Sequence, residues 1–543
     1  MRDELLGYRY NQYTFRHIVA DKARRNGDKL FLNFLPDGRK YSYNEVDILS
    51  NRVANTLLAH GIGKGTHVAM LMENSPEQVL AYFALGKIGA VVVPINIAAR
   101  GPFLHYYLNQ SDSTAIIIDA ALLEHFRALP ERAPIRNVFV VSPLDGEQDL
   151  PSDGFARLEH FSTLYKGQAD APEVEVFYSD PCAIMYTSGT TGPSKGNVFT
   201  QIHALSFGLG QIEPLKFCED DIYHVCMPLF HVGAYGGALL TMFMVDGGVA
   251  LTRRLSVSSF WNEIRESQAT CGMLLSVSGF LLSQPESDLD RRHRLRMAIT
   301  TPVPPYVGEF EKRFKVRLVS GYGLSDFGLA FSQYIDGPLE KRTSIGLPHQ
   351  DVSVRIVDGD DIDVPVGTVG ELLLRKDGLP LGTTLGYYKM PDVTLESRKN
   401  LWFHTGDRCW VDEDGYYYFA DRKKDAIRRR GENISAHEVE EAIAKHESVA
   451  DVAVYPVSAG AGDEDVGVTV VLRPGVALSA VELIEHCCSN MPYYMVPRYV
   501  DFRDEMPRTM TQKIIKHVLR GDVEENPTKF WDREREGVKV HRN

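Results

Sequence analysis

The sequence predicts an α/β protein with a large N-terminal domain of layered parallel sheets and helices, which includes a β-rich subdomain, and a small α+β C-terminal domain. Three observations predict it. Short apolar runs alternate with helix signals in the first third of the chain, and alternating runs separated by turns begin near Val352. Two capping boxes, Ser435 with Glu438 and Ser479 with Glu482, and two long apolar runs follow residue 424. With 543 residues the chain is too long for one compact domain.

The first third carries clear helix and strand signals. Ser42 and Glu45 form a capping box before a helical pattern that Gly61 ends, and Ser75 followed by Pro76 starts a second helix. Four apolar runs separate such helices, HVAMLM, AVVVPIN, TAIIID and NVFVVS, and a later run, GVALT, repeats the pattern. Apolar strands separated by helices indicate a parallel sheet that is covered on both faces.

Composition excludes several classes of protein. The formal net charge of −13 argues against a general nucleic-acid binder. No apolar run approaches the roughly 18 residues that a membrane span needs, and the first residues lack the apolar core of a signal peptide. The seven cysteines form no CxxC pair, so we expect a reducing, cytoplasmic environment.

The stretch Tyr186–Gly196, YTSGTTGPSKG, is the strongest chemical signal. We expect it to join an apolar strand to a helix that begins near Phe199. Glycines let backbone N–H groups close on phosphate oxygens, and a lysine adds a mobile positive charge, so the pattern predicts a polyphosphate site. A flexible linker is the alternative. The order Ser-Lys-Gly excludes a Walker A loop. The candidate binding residues are Thr187, Ser188, Gly189, Thr190, Thr191, Gly192 and Lys195.

Polar residues follow other predicted strands. Tyr322, Ser325 and Asp326 come after the run VRLVS, where ligands collect in open α/β sheets, although an ordinary glycine-rich turn is the alternative. His231 follows another apolar run and is a pocket candidate or a packed histidine. Asp407, in FHTGD, is either a local cap or an acceptor for two hydroxyls.

These motifs, in this order, resemble those of the adenylate-forming superfamily, which includes acyl-CoA synthetases, luciferases and peptide-synthetase adenylation domains. The resemblance covers almost the whole chain. The wording RRGENIS, near residue 430, is similar to that of bacterial carnitine/crotonobetaine-CoA ligases.

The resemblance implies roles for residues around the nucleotide ATP. The ring of Tyr322 would pack on adenine, the hydroxyl of Ser325 would face the reacting phosphate, and Asp326 would help to hold Mg²⁺. Asp326 stands where the family has glutamate, which puts metal affinity in doubt. The remaining implied roles are ribose binding by Asp407 and Arg422, a weak adenine-side position at Thr301, and an acyl-pocket position at His231.

The small domain would carry the rest of the machinery. Lys513 matches the family's catalytic lysine, although Gln512 replaces the glycine that usually precedes it. Lys424 matches the hinge of a mobile domain, and Gly431 lies in the loop that passes the pantetheine arm of coenzyme A. The expected domains are 1–423 and 424–520, followed by a charged, loosely ordered tail, 521–543.

The resemblance therefore implies an AMP-forming acid–thiol ligase that uses ATP, Mg²⁺ and coenzyme A to convert a carboxylic acid into a thioester. Its partners would be the acid and coenzyme A, with no nucleic acid and no membrane span. The oligomeric state stays open, with a homodimer as one candidate. Three alternatives also stay open: a carrier-protein thiol as acceptor, luciferase-like oxidation, and a nucleotide sensor without catalysis.

Overall fold

A computed structural model describes residues 4–129, 134–142, 150, 156–187, 194–274, 277–301, 303–304, 306–377, 383–422, 426–460, 463–507 and 514–540, with backbone only at 4, 5, 421, 422, 426, 433, 437 and 517. Within these ranges two seven-stranded sheets with helices form the large domain, and a four-stranded sheet with helices forms the small one. The predicted α/β class is confirmed.

The first large sheet is parallel except at one edge. Its strands lie in the order Lys195–Thr200, Pro181–Thr187, Val91–Pro94, His67–Leu71, Ala115–Asp119, Asn137–Val141 and Arg157–His160. The edge strand Lys195–Thr200 runs antiparallel to Pro181–Thr187 and pairs Lys195 with Thr187. The expectation of a helix directly after the candidate phosphate loop is therefore wrong, because a second strand comes first. The helix begins at Gln201, where the Thr200 hydroxyl caps it.

The second large sheet has the same character. Its strands lie in the order Arg317–Val319, Met297–Ile299, Cys271–Met273, Ile222–Val225, Gly248–Leu251, Leu30–Phe34 and Arg39–Ser42. All neighbours are parallel except the last pair. The largest hydrophobic cluster fills the space between the two sheets and includes the almost entirely buried helix Pro76–Lys87.

Helices cover the sheets and begin at the predicted caps. Ser42 and Glu45 form a reciprocal capping box, and Ser75 caps the helix that starts at Pro76. The α-helices are Phe15–Asn26, Tyr43–Ala59, Pro76–Lys87, Gly101–Gln110, Leu123–Arg127, Gln201–Ser206, Ile212–Leu215, Val232–Ala234, Thr241–Met244, Phe260–Ser267, Val277–Leu282, Val307–Phe314, Pro391–Glu396, Ala436–Ala444, Ala480–Asn490 and Lys516–Glu525, and Tyr235–Leu240 is a π-helix.

Antiparallel strands follow the two large sheets, as the hairpin pattern after Val352 predicts. Three short strands come first, and a four-stranded antiparallel sheet then carries Asp407 on its third strand. The strands are Gly321–Leu324, Gly328–Ser332 and Leu347–Pro348, then Val352–Val357, Gly370–Lys376, Phe403–Val411 and Tyr417–Arg422.

The small domain combines one hairpin with one sheet. Ile427 and Ile434 of the hairpin pack into the same hydrophobic cluster as the sheet and its helices. The hairpin strands are Ala426–Arg429 and Glu432–Ser435, and the sheet strands are Val449–Gly460, Asp463–Leu472, Tyr499–Arg503 and Trp531–Asp532.

The end of the chain differs from its prediction. A loosely ordered tail after residue 521 is wrong for 521–540, because helix Lys516–Glu525 continues past it and Trp531–Asp532 adds a fourth strand beside Tyr499–Arg503. Charge and apolar contacts explain the order. Arg498 forms ion pairs with Asp532, and Phe530 is buried in the small domain.

Candidate active site

Two of the residues predicted to contact the nucleotide, Tyr322 and Asp407, are joined by a hydrogen bond between their buried side chains. The Tyr322 hydroxyl donates to Oδ2 of Asp407 over 2.6 Å, and the two residues are only 9% and 4% exposed. Burial raises the pKa of Tyr322 well above its ordinary value, so the phenol stays a neutral donor. Since one oxygen of Asp407 already accepts this bond, contact with two ribose hydroxyls would use its remaining lone pairs.

Asp326 links three segments of the large domain. Its Oδ1 accepts a hydrogen bond from the Asn197 amide, and its Oδ2 accepts one from the Tyr387 hydroxyl over 2.6 Å. Burial raises the pKa of Asp326, while these two bonds and the charge of Lys195 oppose that rise. Asn197 lies on the edge strand that follows the candidate phosphate loop, so Asp326 ties that strand to the turn that carries Ser325.

Lys195 lies at the beginning of the same edge strand. Its Nζ is 4.9 Å from the centre of the Tyr387 ring, a cation–π distance. The Thr187 hydroxyl donates to the carbonyl of Lys195 over 3.5 Å across the end of the hairpin. Ser188, Gly189, Thr190, Thr191 and Gly192 lie outside the described residues.

The two hydrogen bonds of Asp326 leave its carboxylate with lone pairs that could bind Mg²⁺. A carboxylate has about four lone-pair sites, and the two hydrogen bonds described above use one on each oxygen. Mg²⁺ in nucleotide sites is usually held by one or two carboxylates together with substrate phosphates and water. Within the described ranges no group of three His, Cys, Asp or Glu is placed to hold a metal ion.

Thr301 lies close to Tyr322, and Arg422 lies close to Asp407. The Thr301 hydroxyl donates to the Gly321 carbonyl over 3.2 Å, next to Tyr322, which fits a position beside the nucleotide. Arg422 ends its strand directly opposite Asp407, and only its backbone is described. Ser325 lies half-buried in the turn before Asp326. Lys424 and Lys513 lie outside the described residues.

The small domain contacts the large one through its hairpin. Nε2 of His231 lies 3.4 Å from Oε1 of Glu432, directly after the hairpin turn. The Asn96 amide donates to the same oxygen over 3.4 Å and to the Tyr494 hydroxyl over 3.3 Å. Gly431 has φ +87° in this turn, a conformation that favours glycine. The predicted thiol loop therefore lies beside the predicted acyl-pocket histidine.

A second contact between the domains reaches the candidate phosphate loop. Oε1 of Glu438, on helix Ala436–Ala444, accepts hydrogen bonds of 2.6 Å from both the backbone N–H and the hydroxyl of Ser194. The hydroxyls of Tyr106 and Tyr107 surround the same serine at 2.8 and 3.1 Å. Burial raises the pKa of Glu438 to about 7, although the bonds from Ser194 lower it in part.

Sequence reasoning missed four residues of this site: Asn197, Tyr387, Glu432 and Glu438. The first three carry no local pattern, because their partners are more than 60 residues away in the chain. Glu438 does carry one, because it stands three residues after the cap Ser435 and this spacing predicts a capping box. Its backbone N–H does bond to Ser435, but its carboxyl turns to the large domain.

Comparison with known proteins places two family models on the chain. Residues 19–388 match the AMP-binding enzyme family, and residues 438–513 match the AMP-binding enzyme C-terminal domain. The crotonobetaine/carnitine–CoA ligase of Salmonella heidelberg strain SL476 is 32% identical over 520 residues, which span 93% of this chain and 99% of that enzyme.

Solved structures share the whole architecture. A double mutant of o-succinylbenzoate CoA synthetase from Bacillus subtilis, bound to a product analogue, has a TM-score of 0.79 at 22% identity and covers 94% of this chain and 98% of its own. The same enzyme with AMP has a TM-score of 0.64 with the same coverage. Fatty acyl CoA synthetase from Mycobacterium tuberculosis has a TM-score of 0.67 at 26% identity, covering 95% and 99%.

Proposed function

Because the chain belongs to the AMP-binding enzyme family, we propose that it is an ATP-dependent acyl-CoA synthetase. It would join a carboxylic acid to coenzyme A through an acyl-adenylate and release AMP and pyrophosphate. The observation that carries the proposal is that contacts in the structure join separate predicted motifs. Lys195 lies over the ring of Tyr387, whose hydroxyl donates to Asp326, and the Tyr322 hydroxyl donates to Asp407.

In the first half-reaction a carboxylate oxygen of the acid attacks the α-phosphorus of ATP, and the bond to the β-phosphate oxygen breaks. Negative charge develops on phosphate oxygens that already repel the acid. Lys195, the N–H donors of the loop that precedes it and Lys513 would stabilise that charge, and preorganised charge of this kind is usually the largest catalytic contribution. Mg²⁺, held by Asp326 and the phosphates, would neutralise further charge on the nucleotide.

The nucleoside would be held by the bonded pair described above. The ring of Tyr322 is fixed by its bond to Asp407, so it can pack on adenine without losing rotamer freedom on binding. Asp407 and Arg422, opposite one another on adjacent strands, would contact the ribose.

In the second half-reaction the thiol sulfur of coenzyme A attacks the acyl carbon, the bond to AMP breaks, and the thiol proton is lost to solvent or to AMP. AMP is a good leaving group, so this step needs orientation more than acid–base help. The domain orientation described above suits this step, because the Gly431 turn lies beside His231.

The two steps need different partners at one site, which a moving small domain can supply. The domain would present Lys513 for adenylation and then turn about Lys424 to present the Gly431 hairpin for the thiol. Coenzyme A is preferred over a carrier-protein thiol because the relatives reported above are CoA ligases and synthetases.

Among the helices that the structure describes, none has the length and apolar character of a membrane span.

A pyrophosphate-release screen tests the proposal. Short, medium-chain, aromatic and quaternary-ammonium carboxylic acids would each be supplied with ATP and Mg²⁺, with and without coenzyme A, and thioester would be detected by mass. The quaternary-ammonium acids are included because the curated relative is named for crotonobetaine and carnitine. ATP binding without pyrophosphate release from any acid would refute catalysis and support a sensor. Release without thioester would refute coenzyme A as acceptor.

A further inference from the structure

We propose that Glu438 is a positioning residue that couples pyrophosphate departure to docking of the small domain for the thiol step. Its carboxyl takes the hydrogen-bond donors of Ser194 that a phosphate group would otherwise use, so the observed orientation and a bound pyrophosphate exclude one another. The proposal rests on the proposed function and concerns the order of events within it.

The contact has the geometry of an anion site that the protein itself fills. One oxygen, Oε1 of Glu438, receives both the N–H and the hydroxyl of Ser194 at 2.6 Å, close to the shortest values for charge-assisted bonds. Ser194 directly precedes Lys195 in the segment whose residues predict phosphate binding. Converging N–H and O–H donors of this kind bind phosphate oxygens as readily as carboxylate oxygens.

Burial makes the contact consequential. Glu438 is 6% exposed, and its Oε2 has no hydrogen-bond partner among the residues that the structure describes. A buried acceptor without donors is costly, so the carboxyl is held chiefly by Ser194. If a phosphate took both donors, Glu438 would be left buried, unpaired and close to a like charge. The small domain would then move away.

Three of the helices that the structure describes begin with the same Ser-x-x-Glu pattern, and a comparison of them shows that the side chain of Glu438 behaves differently. Glu45 and Glu482 each accept a hydrogen bond of 2.8 Å from the backbone N–H of their own cap residues, Ser42 and Ser479. Glu438 occupies the same position after Ser435 but bonds to the other domain. Because the carboxyl of Glu438 bonds to Ser194 of the large domain and not to its own cap residue, its role lies in the docking of the two domains.

The test measures pyrophosphate affinity directly, by titration calorimetry with the full-length enzyme and AMP. In the wild type pyrophosphate must displace Glu438 from Ser194. Glu438→Ala removes that competitor and is expected to bind pyrophosphate roughly tenfold more tightly, because hydrogen bonds to a charged group contribute at least that factor. Glu441→Ala is the control for the loss of a nearby surface charge, because Glu441 lies on the same helix, is 55% exposed at its side chain and forms an i,i+4 ion pair with Lys445.

The same variants are then compared in the two half-reactions. Glu438→Ala is expected to form thioester from supplied acyl-adenylate about tenfold more slowly, while in a single turnover it forms acyl-adenylate from acid and ATP no more slowly than the wild type. Glu438→Gln keeps an acceptor for Ser194 and should recover most of the thiol-step rate. A residue with a merely structural role would slow both half-reactions and would not tighten pyrophosphate binding.

Unchanged or weaker pyrophosphate binding in Glu438→Ala would overturn the proposal. Equal loss in both half-reactions would overturn it too. The failure of the proposed function looks different, because then no acid supports either half-reaction in the wild type, whereas the pyrophosphate titration still compares the variants.

Discussion

Tyr322→Phe isolates the hydrogen bond that joins two motifs of the candidate nucleotide site. The substitution keeps the aromatic ring, which packs edge-on against Phe331 with 5.9 Å between ring centres, and removes only the donor to Asp407. A hydrogen bond to a charged, buried acceptor contributes about 1.5–3 kcal/mol, so we expect a loss of about 2 kcal/mol in the free energy of unfolding.

Tyr417→Phe is the matched control for this prediction. Tyr417 packs in the same hydrophobic cluster and contacts Phe331, with 5.0 Å between ring centres. Its hydroxyl has no hydrogen-bond partner in the part of the chain that the structure describes. Urea unfolding, followed by tryptophan fluorescence, would compare both variants with the wild type. Equal losses for the two would refute the contribution of the Tyr322–Asp407 bond, whereas a loss confined to Tyr322→Phe supports it.

Three further predictions follow from the site. Lys513→Ala should abolish pyrophosphate release from acid and ATP but spare thioester formation from supplied acyl-adenylate, as quenched-flow assays of each half-reaction would show, and equal loss of both would contradict the division of labour. Asp326→Asn, which keeps the side-chain shape but removes the charge, should raise the Mg²⁺ concentration for half-maximal pyrophosphate release several-fold; an unchanged Mg²⁺ dependence would remove Asp326 from the metal site. The third prediction concerns pH. Burial in the docked orientation raises the pKa of Glu438 from its ordinary 4.5 to about 7, so docking is accompanied by proton uptake. A fall in pH from 8 to 6 should therefore favour docking roughly tenfold. The ratio of the wild-type thiol-step rate to that of Glu438→Gln should therefore rise as pH falls, and a constant ratio would contradict this prediction. The neighbouring phenols of Tyr106 and Tyr107 stay neutral over this range because burial raises their pKa.

The fold was predictable where the chain's signals are local. Capping boxes at Ser42 and Ser479 and the proline start at Pro76 mark helices that the structure confirms, since a cap bonds within three residues of itself. Apolar runs with helices between them predicted the parallel sheets for the same reason. The strand after the candidate phosphate loop was missed because Lys195–Thr200 is stabilised by pairing with Pro181–Thr187, which propensity alone does not report.

The site was predictable only in part, because its bonds join distant segments. Tyr322 and Asp407 were each identified from short motifs, yet the hydrogen bond between them crosses 85 positions of sequence. Tyr387 belongs to no motif and matters only because folding brings its hydroxyl to Asp326. Glu438 shows the opposite case, in which a true local pattern concealed a contact with a residue 244 positions away.

The last strand, Trp531–Asp532, covers one edge of the sheet in the small domain and so prevents other chains from pairing with that edge. Without it Tyr499–Arg503 would be a bare edge strand, and an unpaired edge is a template on which other chains can add strands. Truncation after the helix Lys516–Glu525 would also leave Arg498 without its partners Asp532 and Glu534. The strand Trp531–Asp532 thus keeps this edge of the small domain closed to other chains, also during the domain movement proposed above.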